Sequence, residues 1–145
     1  MLKQSLAPLV IAGCLVSPAH AQDAPSPAPT AASSAAPAPL VILFDTASNK
    51  VQANSLAVLD KASRAYSEGK PIVMIITASS DRVGNAALNL RLSQQRATAV
   101  LNGLLERGIP ADRFQLLAKG QTELPIPTQP GVSEARNRAV EITWR

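Results

Sequence analysis

Reactive side chains are few and unevenly distributed in this chain. Its one histidine, His20, and its one cysteine, Cys14, both lie in the first 21 of the 145 residues. If that segment is removed after export, no imidazole or thiol remains. Nucleophiles activated by histidine, disulfides and the nitrogen and sulfur ligands of zinc are then excluded. We therefore expect neither a metal nor a cofactor, and carboxylates, guanidinium groups, amides and hydroxyls are left to form a site.

Two charged residues are placed where they could meet. Asp81 follows a predicted buried strand, Gly84 lies in the turn after it, and Arg96 lies on the next predicted helix. A carboxylate at a strand end and a guanidinium on the following helix can converge on one crevice. The same spacing also allows a surface ion pair that contributes less than about 1 kcal/mol and binds no ligand.

The first 21 residues are typical of a secretory signal. Lys3 gives the positive start, residues 6–16 form the apolar stretch, and Ala19-His20-Ala21 is a small-x-small cleavage site. The apolar stretch is about half of the ~20 residues that span a bilayer, so we expect no permanent transmembrane helix there. This pattern predicts a signal peptide at residues 1–21.

Cys14 permits a second interpretation of this segment. Ile11-Ala12-Gly13-Cys14 looks like a lipobox, in which the cysteine is lipidated and becomes the mature N-terminus. Only residues 1–13 would precede the cysteine, which is short for a lipoprotein signal, and the later Ala-x-Ala site is well formed. Cleavage after residue 21 is favoured, and lipidation of Cys14 is the alternative. Attachment to the outer membrane would need this lipid or a partner.

A tether is predicted between the signal and the folded part. Residues 22–39 contain five prolines and no large apolar side chain, so they cannot form a core. Such a Pro/Ala/Ser-rich composition is typical of a disordered, partly extended segment. Residues 40–145 remain as one domain. Because only 3% of the chain is aromatic, its core must consist mainly of Leu, Val, Ile and Ala.

Short apolar runs predict four strands in this domain. They lie at residues 40–44, 71–76, 114–118 and 139–144, and the first two are continuous apolar runs expected of buried strands. The predicted helices between them imply crossover connections. The pattern therefore predicts an α/β (α+β) fold with a mixed sheet of about four strands and two main helices on one face.

The two helices are predicted from apolar residues at three- and four-residue steps. The first is expected at residues 55–68, with Asn54 or Ser55 as its cap and Gly69 at its end. The second is expected at residues 85–107, with a break near Asn89 to Leu92, Ser93 capping the longer half and Gly108 after its end. The apolar stripe predicted for the second helix consists of Leu88, Leu92, Val100, Leu101, Leu104 and Leu105.

Charge by itself does not identify a partner. The formal net charge is +4, and the basic residues alternate with acidic ones without a run of like charge. A surface of this kind suits an anionic envelope polymer as well as nucleic acid. Because no basic cluster with interleaved aromatics is present, we expect no nucleic-acid binding.

Several motifs occur in a fixed order in the folded part. They are Phe44-Asp45 with Ser48, Ser80–Gly84, Asn89–Val100, Gly108–Arg113 and Asn137–Ile142. The last four match a Thr-Asp-x-x-Gly turn, an Asn-x-x-Leu-Ser-x-x-Arg-Ala-x-x-Val helix, a Gly-Ile-Pro-Ala-Asp-Arg connection and a closing Asn-Arg-x-Val-Glu-Ile, with serine in place of the first threonine. Over residues 40–145 the chain therefore resembles the OmpA-like domain family.

The resemblance implies a βαβαβ(α)β sandwich that binds peptidoglycan in a Gram-negative envelope. The ligand it implies is the diaminopimelate residue of the stem peptide, whose free end carries an ammonium and carboxylates. An aspartate can pair with the ammonium, and an arginine can hold a carboxylate in a bidentate manner. The positions that match the family's ligand-binding residues are Asp81, Arg96, Asn89, Ser80, Asp45 and Arg138.

One departure from the family's pattern keeps a second function open. Ala78-Ser79-Ser80 stands where the family usually has Gly-His-Thr, so Ala78 adds a Cβ at the expected pocket wall and Ser79 lacks the imidazole. We expect a periplasmic, wall-binding domain associated with the cell wall or outer membrane, with envelope proteins as further candidate partners. The alternative is a domain without wall affinity that serves as a protein-interaction or structural module.

An enzyme is not expected. Acid–base catalysis would need a distinguished pair of carboxylates, a histidine or a metal motif. The residues after the predicted signal show none of these in their sequence pattern.

Overall fold

A computed structural model describes residues 38–145. The predicted signal peptide, Cys14 and residues 22–37 of the predicted tether lie outside the described residues. Within residues 38–145 there are two short 3-10 turns, two α-helices and four strands. Their bounds in chain order are β1 (Leu40–Leu43), α1 (Ala53–Gly69), β2 (Met74–Ser79), α2 (Ala86–Leu105), a 3-10 turn (Ala111–Arg113), β3 (Phe114–Gly120), a second 3-10 turn (Ala135–Asn137) and β4 (Ala139–Trp144).

The strands form one mixed sheet in the order β1-β4-β2-β3. β2 and β3 are parallel, and β4 is antiparallel to both β1 and β2. α2 is the crossover that joins the two parallel strands, which cannot be connected by a tight turn. The prediction of an α/β fold with a four-stranded mixed sheet and two main helices is therefore confirmed.

The core lies between one face of the sheet and the two helices. Alternate residues of the strands, such as Ile42, Ile76 and Ile142, are buried against Leu59 of α1 and Leu104 of α2. At the end of β2 the register shifts between Ala78 and Ser79, so that Ser79 lies opposite Gly120 of β3. This irregularity occurs where the chain leaves the sheet toward the candidate site, a common place for a bulge.

Two strand predictions need correction. β1 is an edge strand with alternating exposure, because Val41 and Leu43 remain nearly half exposed on the face away from the helices. A continuous apolar run therefore did not indicate burial on both faces here. β2 begins at Met74 rather than at Pro71, and Ile72 lies before the strand with its side chain 78% exposed. The Ile72 N–H donates to the Arg145 carbonyl, and the Ile72 carbonyl accepts from Arg113 Nη1 at 3.5 Å.

The predicted cap of the first helix is also wrong. α1 begins earlier than expected, after Gln52 as its N-cap, whose side chain makes no capping hydrogen bond. Asn54 and Ser55 lie within the first turn instead. At the other end Lys70, rather than Gly69, adopts the left-handed conformation and donates its N–H to the Tyr66 carbonyl.

α2 is one continuous helix, so the expected break near residue 90 is absent from it. Its N-cap is Asn85, whose side chain accepts from the Ala87 N–H at 2.7 Å. Ser93 is therefore not a cap. The helix ends near Gly108 as predicted, since Gly108 takes a φ of 85° that favours glycine. Neither helix in residues 38–145 combines the length and hydropathy required to cross a bilayer.

The predicted apolar stripe of α2 holds only in its C-terminal half. Leu88, which belongs to the predicted stripe, is 66% exposed, and Leu90, which lies off it, is 42% exposed. The buried residues of the helix are, in order, Asn89, Ser93, Arg96, Ala97, Val100 and Leu104. The first turns of α2 therefore direct polar side chains toward the protein interior.

Candidate functional site

Asp81 lies just after β2, where the chain turns toward α2, and it is buried. Its Oδ2 accepts from Arg138 Nη1 at 3.1 Å and from the Ser133 hydroxyl at 3.2 Å. Arg138 Nη1 also donates to the Ser133 Oγ at 3.0 Å, and its Nε donates to the Phe44 carbonyl at 3.2 Å. The three side chains form a closed triangle in which the Arg138 and Asp81 side chains are only 14% and 7% exposed.

Arg96 is fully enclosed beside this triangle. Its Nε donates to the Ser48 carbonyl at 2.8 Å, Nη2 to the Asp45 carbonyl at 3.0 Å and Nη1 to the Ser79 carbonyl at 3.3 Å. Its guanidinium carbon also lies 5.4 Å from the centre of the Phe44 ring, within range of a cation–π interaction. Arg96 thus joins the turn after β1 to the end of β2.

Three charges, those of Arg96, Asp81 and Arg138, interact within the cluster. Burial lowers the pKa of the Arg96 guanidinium to about 10, the Asp81 carboxylate opposes this shift, and the Arg138 charge adds to it. Arg96 therefore stays charged at neutral pH. Two guanidinium groups thus share the field of one buried carboxylate, which leaves the cluster with an excess of positive charge.

The sequence prediction for Asp81 and Arg96 holds in part. Both side chains are brought to one end of the sheet, but neither forms a surface ion pair. Among the described residues Asp81 pairs with Arg138 and not with Arg96, which the spacing did not indicate. Arg138 lies 57 positions further along the chain, so this pairing depends on β4 lying next to β2.

Ser80 and Asn89 fix the turn between β2 and α2. The Ser80 hydroxyl donates to Asn89 Oδ1 at 3.1 Å, and the Ser80 N–H donates to the Gly120 carbonyl at 2.7 Å. Asn89 Nδ2 donates to the Val83 carbonyl and to Gln121 Oε1, both at 2.9 Å. The two predicted residues are therefore in the site region, where their polar groups hold the turn beside Asp81.

Asp45 enters the cluster through its backbone. Its carbonyl accepts from Arg96 and also from the Ser48 N–H at 3.2 Å, across a turn in which Ala47 has a φ of 53°. The Asp45 side chain is exposed, and its carboxylate forms no ion pair within residues 38–145. The Asp45 carboxylate is thus exposed next to the backbone carbonyl that Arg96 binds.

Two residues that the sequence did not predict as part of the site complete it, and one of them, Ser93, was expected to be a helix cap. Ser133 comes from the proline-containing loop before β4 and bonds both members of the Asp81–Arg138 pair. Ser93 is fully buried, donates to the Leu90 carbonyl at 2.7 Å and accepts from the Gly120 N–H at 3.1 Å. Ser93 therefore fastens α2 to the end of β3. A serine in a loop and a serine inside a helix give no local signal of these roles.

Ala78-Ser79-Ser80, which stands where the family usually has Gly-His-Thr, does not disrupt the charged cluster. Ala78 is fully buried in the apolar core, so its Cβ packs toward the helices and does not form a pocket wall as expected. The Ser79 hydroxyl donates to the Asn137 carbonyl at 2.9 Å and contacts the Ala139 carbonyl at 3.3 Å. Ala78 is thus held by apolar packing and Ser79 by hydrogen bonds to backbone carbonyls.

Within residues 38–145 no group of three or more Asp, Glu, His and Cys side chains is placed to hold a metal ion. The donors gathered at this end of the sheet are guanidinium and amide groups, and the acceptors are one buried carboxylate, hydroxyls and carbonyls. Such a set recognises charged and polar groups of a ligand by hydrogen bonds and ion pairs.

Comparisons with known proteins agree with this architecture. The chain is 30% identical to outer membrane protein A of Bordetella avium over 132 residues, which covers 91% of this chain and 67% of that protein. It is 29% identical to the peptidoglycan-associated lipoprotein of Rhizobium meliloti over 103 residues, covering 70% of this chain and 58% of the relative. The chain thus spans about half to two thirds of the length of these curated relatives.

A solved structure shows the same fold. The cell wall anchor of the T6SS from Pseudomonas aeruginosa superposes with a TM-score of 0.57 and 34% identity, covering 70% of this chain and 73% of that one. The family model of the OmpA family matches residues 43–138, which include both helices, β2, β3 and the Asp81–Arg138 pair. The chain therefore belongs to the OmpA family.

Proposed function

We propose that this domain binds peptidoglycan without catalysis and holds the protein at the cell wall of the periplasm. The observation that carries the proposal is the buried Asp81–Arg138 pair with the enclosed Arg96 behind it. The names of a peptidoglycan-associated lipoprotein and of a cell wall anchor among its relatives support the same function. The signal peptide at residues 1–21, the tether at 22–39 and the domain at 40–145 fit this location. Attachment to the outer membrane as well would require lipidation of Cys14 or a protein partner.

The ligand group that fits best is the zwitterionic end of diaminopimelate. Asp81 is paired with Arg138, so an incoming ammonium must take the place of Arg138. The Arg138 donors released in this exchange can then bind a carboxylate of the same ligand. A group with only one charge would leave a buried partner uncompensated, which is costly. The pair therefore favours a ligand that brings both charges.

We assign different roles in ligand binding to Arg138 and Arg96. Arg138 is the more accessible cation, and it is the one that can exchange partners directly. Arg96 is fully enclosed and has three of its donors committed to backbone carbonyls, so it contributes a fixed charge that strengthens the positive potential where the ligand carboxylate would bind. Asp45, at the exposed mouth, and Asn89 with Ser80, in the turn, complete the proposed ligand-binding set.

Asp81→Asn tests the proposal most directly. The substitution keeps the shape and removes the charge that would pair with the ammonium, so we expect affinity for purified sacculi to fall by roughly 30- to 150-fold, or about 2–3 kcal/mol. Co-sedimentation measured over a series of sacculus concentrations gives this value.

Arg91→Ala is the matched control, because Arg91 is an exposed cation on α2 away from the cluster. We expect it to bind nearly as the wild type does. A loss for Arg91→Ala with unchanged or tighter binding of Asp81→Asn, both weakening with added salt, would indicate general attraction between a cationic protein and an anionic wall, because Asp81→Asn makes the protein more cationic. Unchanged binding of Asp81→Asn would refute the site and favour a protein-interaction module instead.

A further inference from the structure

The residue after Asp81 carries a cation that the described chain does not neutralise. Arg82 Nη1 donates to the Thr128 carbonyl at 2.9 Å. Its Nε is buried and has no hydrogen-bond partner, and Arg82 forms no ion pair with any acid in residues 38–145. A buried donor of a charged group is seldom left without an acceptor. Residues 38–145 thus supply acceptors for only some of the Arg82 donors.

Arg82 is nevertheless held in place. Its side chain reaches Thr128, and its carbonyl accepts from the Gly131 N–H at 2.8 Å. The loop before β4 thus contacts both the backbone and the side chain of this residue. A guanidinium fixed in this way loses little conformational freedom when it binds a ligand.

A cleft of about 480 Å³ lies beside Arg82, and its lining includes Ala86, Gln121, Thr122 and Thr128 but no carboxylate. Ala86 is the first residue of α2, whose N-terminal end favours negative charge. The nearby Glu123 is already engaged by Lys119. The groups around the cleft therefore favour an anion.

The cleft adjoins the proposed diaminopimelate site. Gln121, which lines the cleft, accepts from Asn89 at 2.9 Å, and Asn89 in turn accepts from Ser80. Asp81 and Arg82 are consecutive, and both are contacted by the loop that contains Thr128 and Ser133. One peptide could therefore reach both places with neighbouring residues.

We propose that this cleft is a second subsite, which binds the free carboxylate of the residue next to diaminopimelate in the stem peptide. This inference rests on the proposed function. The neighbouring residue is a glutamate linked through its side chain, so its α-carboxyl group is free unless it is amidated. The Arg82 guanidinium lines the cleft and can donate charge-assisted hydrogen bonds to a carboxylate, whereas a carboxamide is a weaker, uncharged acceptor.

The test compares two synthetic tripeptides by calorimetry, L-Ala-γ-D-Glu-meso-diaminopimelate and the same peptide with the glutamate α-carboxyl amidated. We expect the wild-type chain to bind the acid about 10-fold more tightly than the amide, as is typical of one lost charge-assisted hydrogen bond. Arg82→Gln should bind both peptides alike, at the affinity that the wild type shows for the amide. Arg64→Gln, which removes an exposed cation from α1, should keep the preference.

The outcomes separate this inference from the proposed function. Equal affinity of the wild type for both peptides would overturn the subsite and leave diaminopimelate binding in place. A preference that survives in Arg82→Gln would also overturn it. Failure of the wild type to bind either peptide would refute the proposed function and the subsite together. Because the first comparison uses only the wild type, it does not depend on how well the variant folds.

Discussion

The two halves of α2 bury different chemistry on the same helix face. In the C-terminal half the buried residues are Ala97, Val100 and Leu104, which pack into the aliphatic core. In the N-terminal half they are Asn89, Ser93 and Arg96, while Leu88 is turned toward solvent. Both halves use steps of three and four residues, so helix geometry does not distinguish them. What differs is what they face: the core in one half, and the strand ends with their loops in the other.

The contrast between the two halves suggests why polar residues are buried in the N-terminal half of α2. Buried polar groups stabilise a fold only when their hydrogen bonds are complete, and apolar side chains of similar size often serve stability as well or better. Asn89, Ser93 and Arg96 all have partners, so their burial is tolerated. They surround the turn that carries Asp81. The polar half is thus explained by the site it builds, whereas the apolar half is explained by the core.

The largest loss of stability is expected from a substitution in the apolar half of α2. Leu104→Ala removes a fully buried side chain from the core and should lower the free energy of unfolding by about 2–5 kcal/mol. Urea unfolding measures this loss. Leu88→Ala, in the same helix, should change it by less than about 0.5 kcal/mol because Leu88 is mostly exposed. Similar losses for both would contradict the assignment of faces.

A smaller loss of stability is expected from Arg96→Met, together with a loss of binding. Methionine can fill the space over Phe44, but the three carbonyls that accept from Arg96 lose their donor. Because removing the charge also removes its desolvation cost, we expect a net loss of only about 1–3 kcal/mol. Sacculus co-sedimentation should fall as it does for Asp81→Asn. A methionine variant that binds sacculi normally would mean that Arg96 serves the fold alone.

The smallest change is expected at Ser93. Ser93→Ala removes the acceptor of the buried Gly120 N–H, so the free energy of unfolding should fall by about 1–2 kcal/mol. Hydrogen exchange of the Gly120 amide should accelerate in the variant, because its bond to α2 is lost. Unchanged exchange would show that this bond does not hold the helix to β3. Ser67→Ala, which alters an exposed serine on α1, is the matched control.

Sequence patterns predicted much of the framework. β4 was predicted with its observed bounds, and the end of α2 near Gly108 follows from the need for a left-handed residue there. The four-stranded mixed sheet and its two helices followed from the alternation of apolar runs with helical periodicity. These features are local, since they depend on backbone preferences and on the period of side chains within one element. The family motifs likewise predicted that Asp81, Arg96 and Arg138 belong to one site, and the structure brings the three side chains close together.

The tertiary structure alone decided which groups in that site meet. Apolar periodicity assigned Leu88 to the interior, but the surface facing the first turns of α2 consists of strand ends and loops with unpaired backbone groups. Those carbonyls and N–H groups require polar partners, so Asn89, Ser93 and Arg96 are buried and the leucine is not. Asp81 similarly pairs with Arg138 because β4 lies between β1 and β2. Long-range neighbours of this kind are set by strand order, which no spacing along the chain specifies.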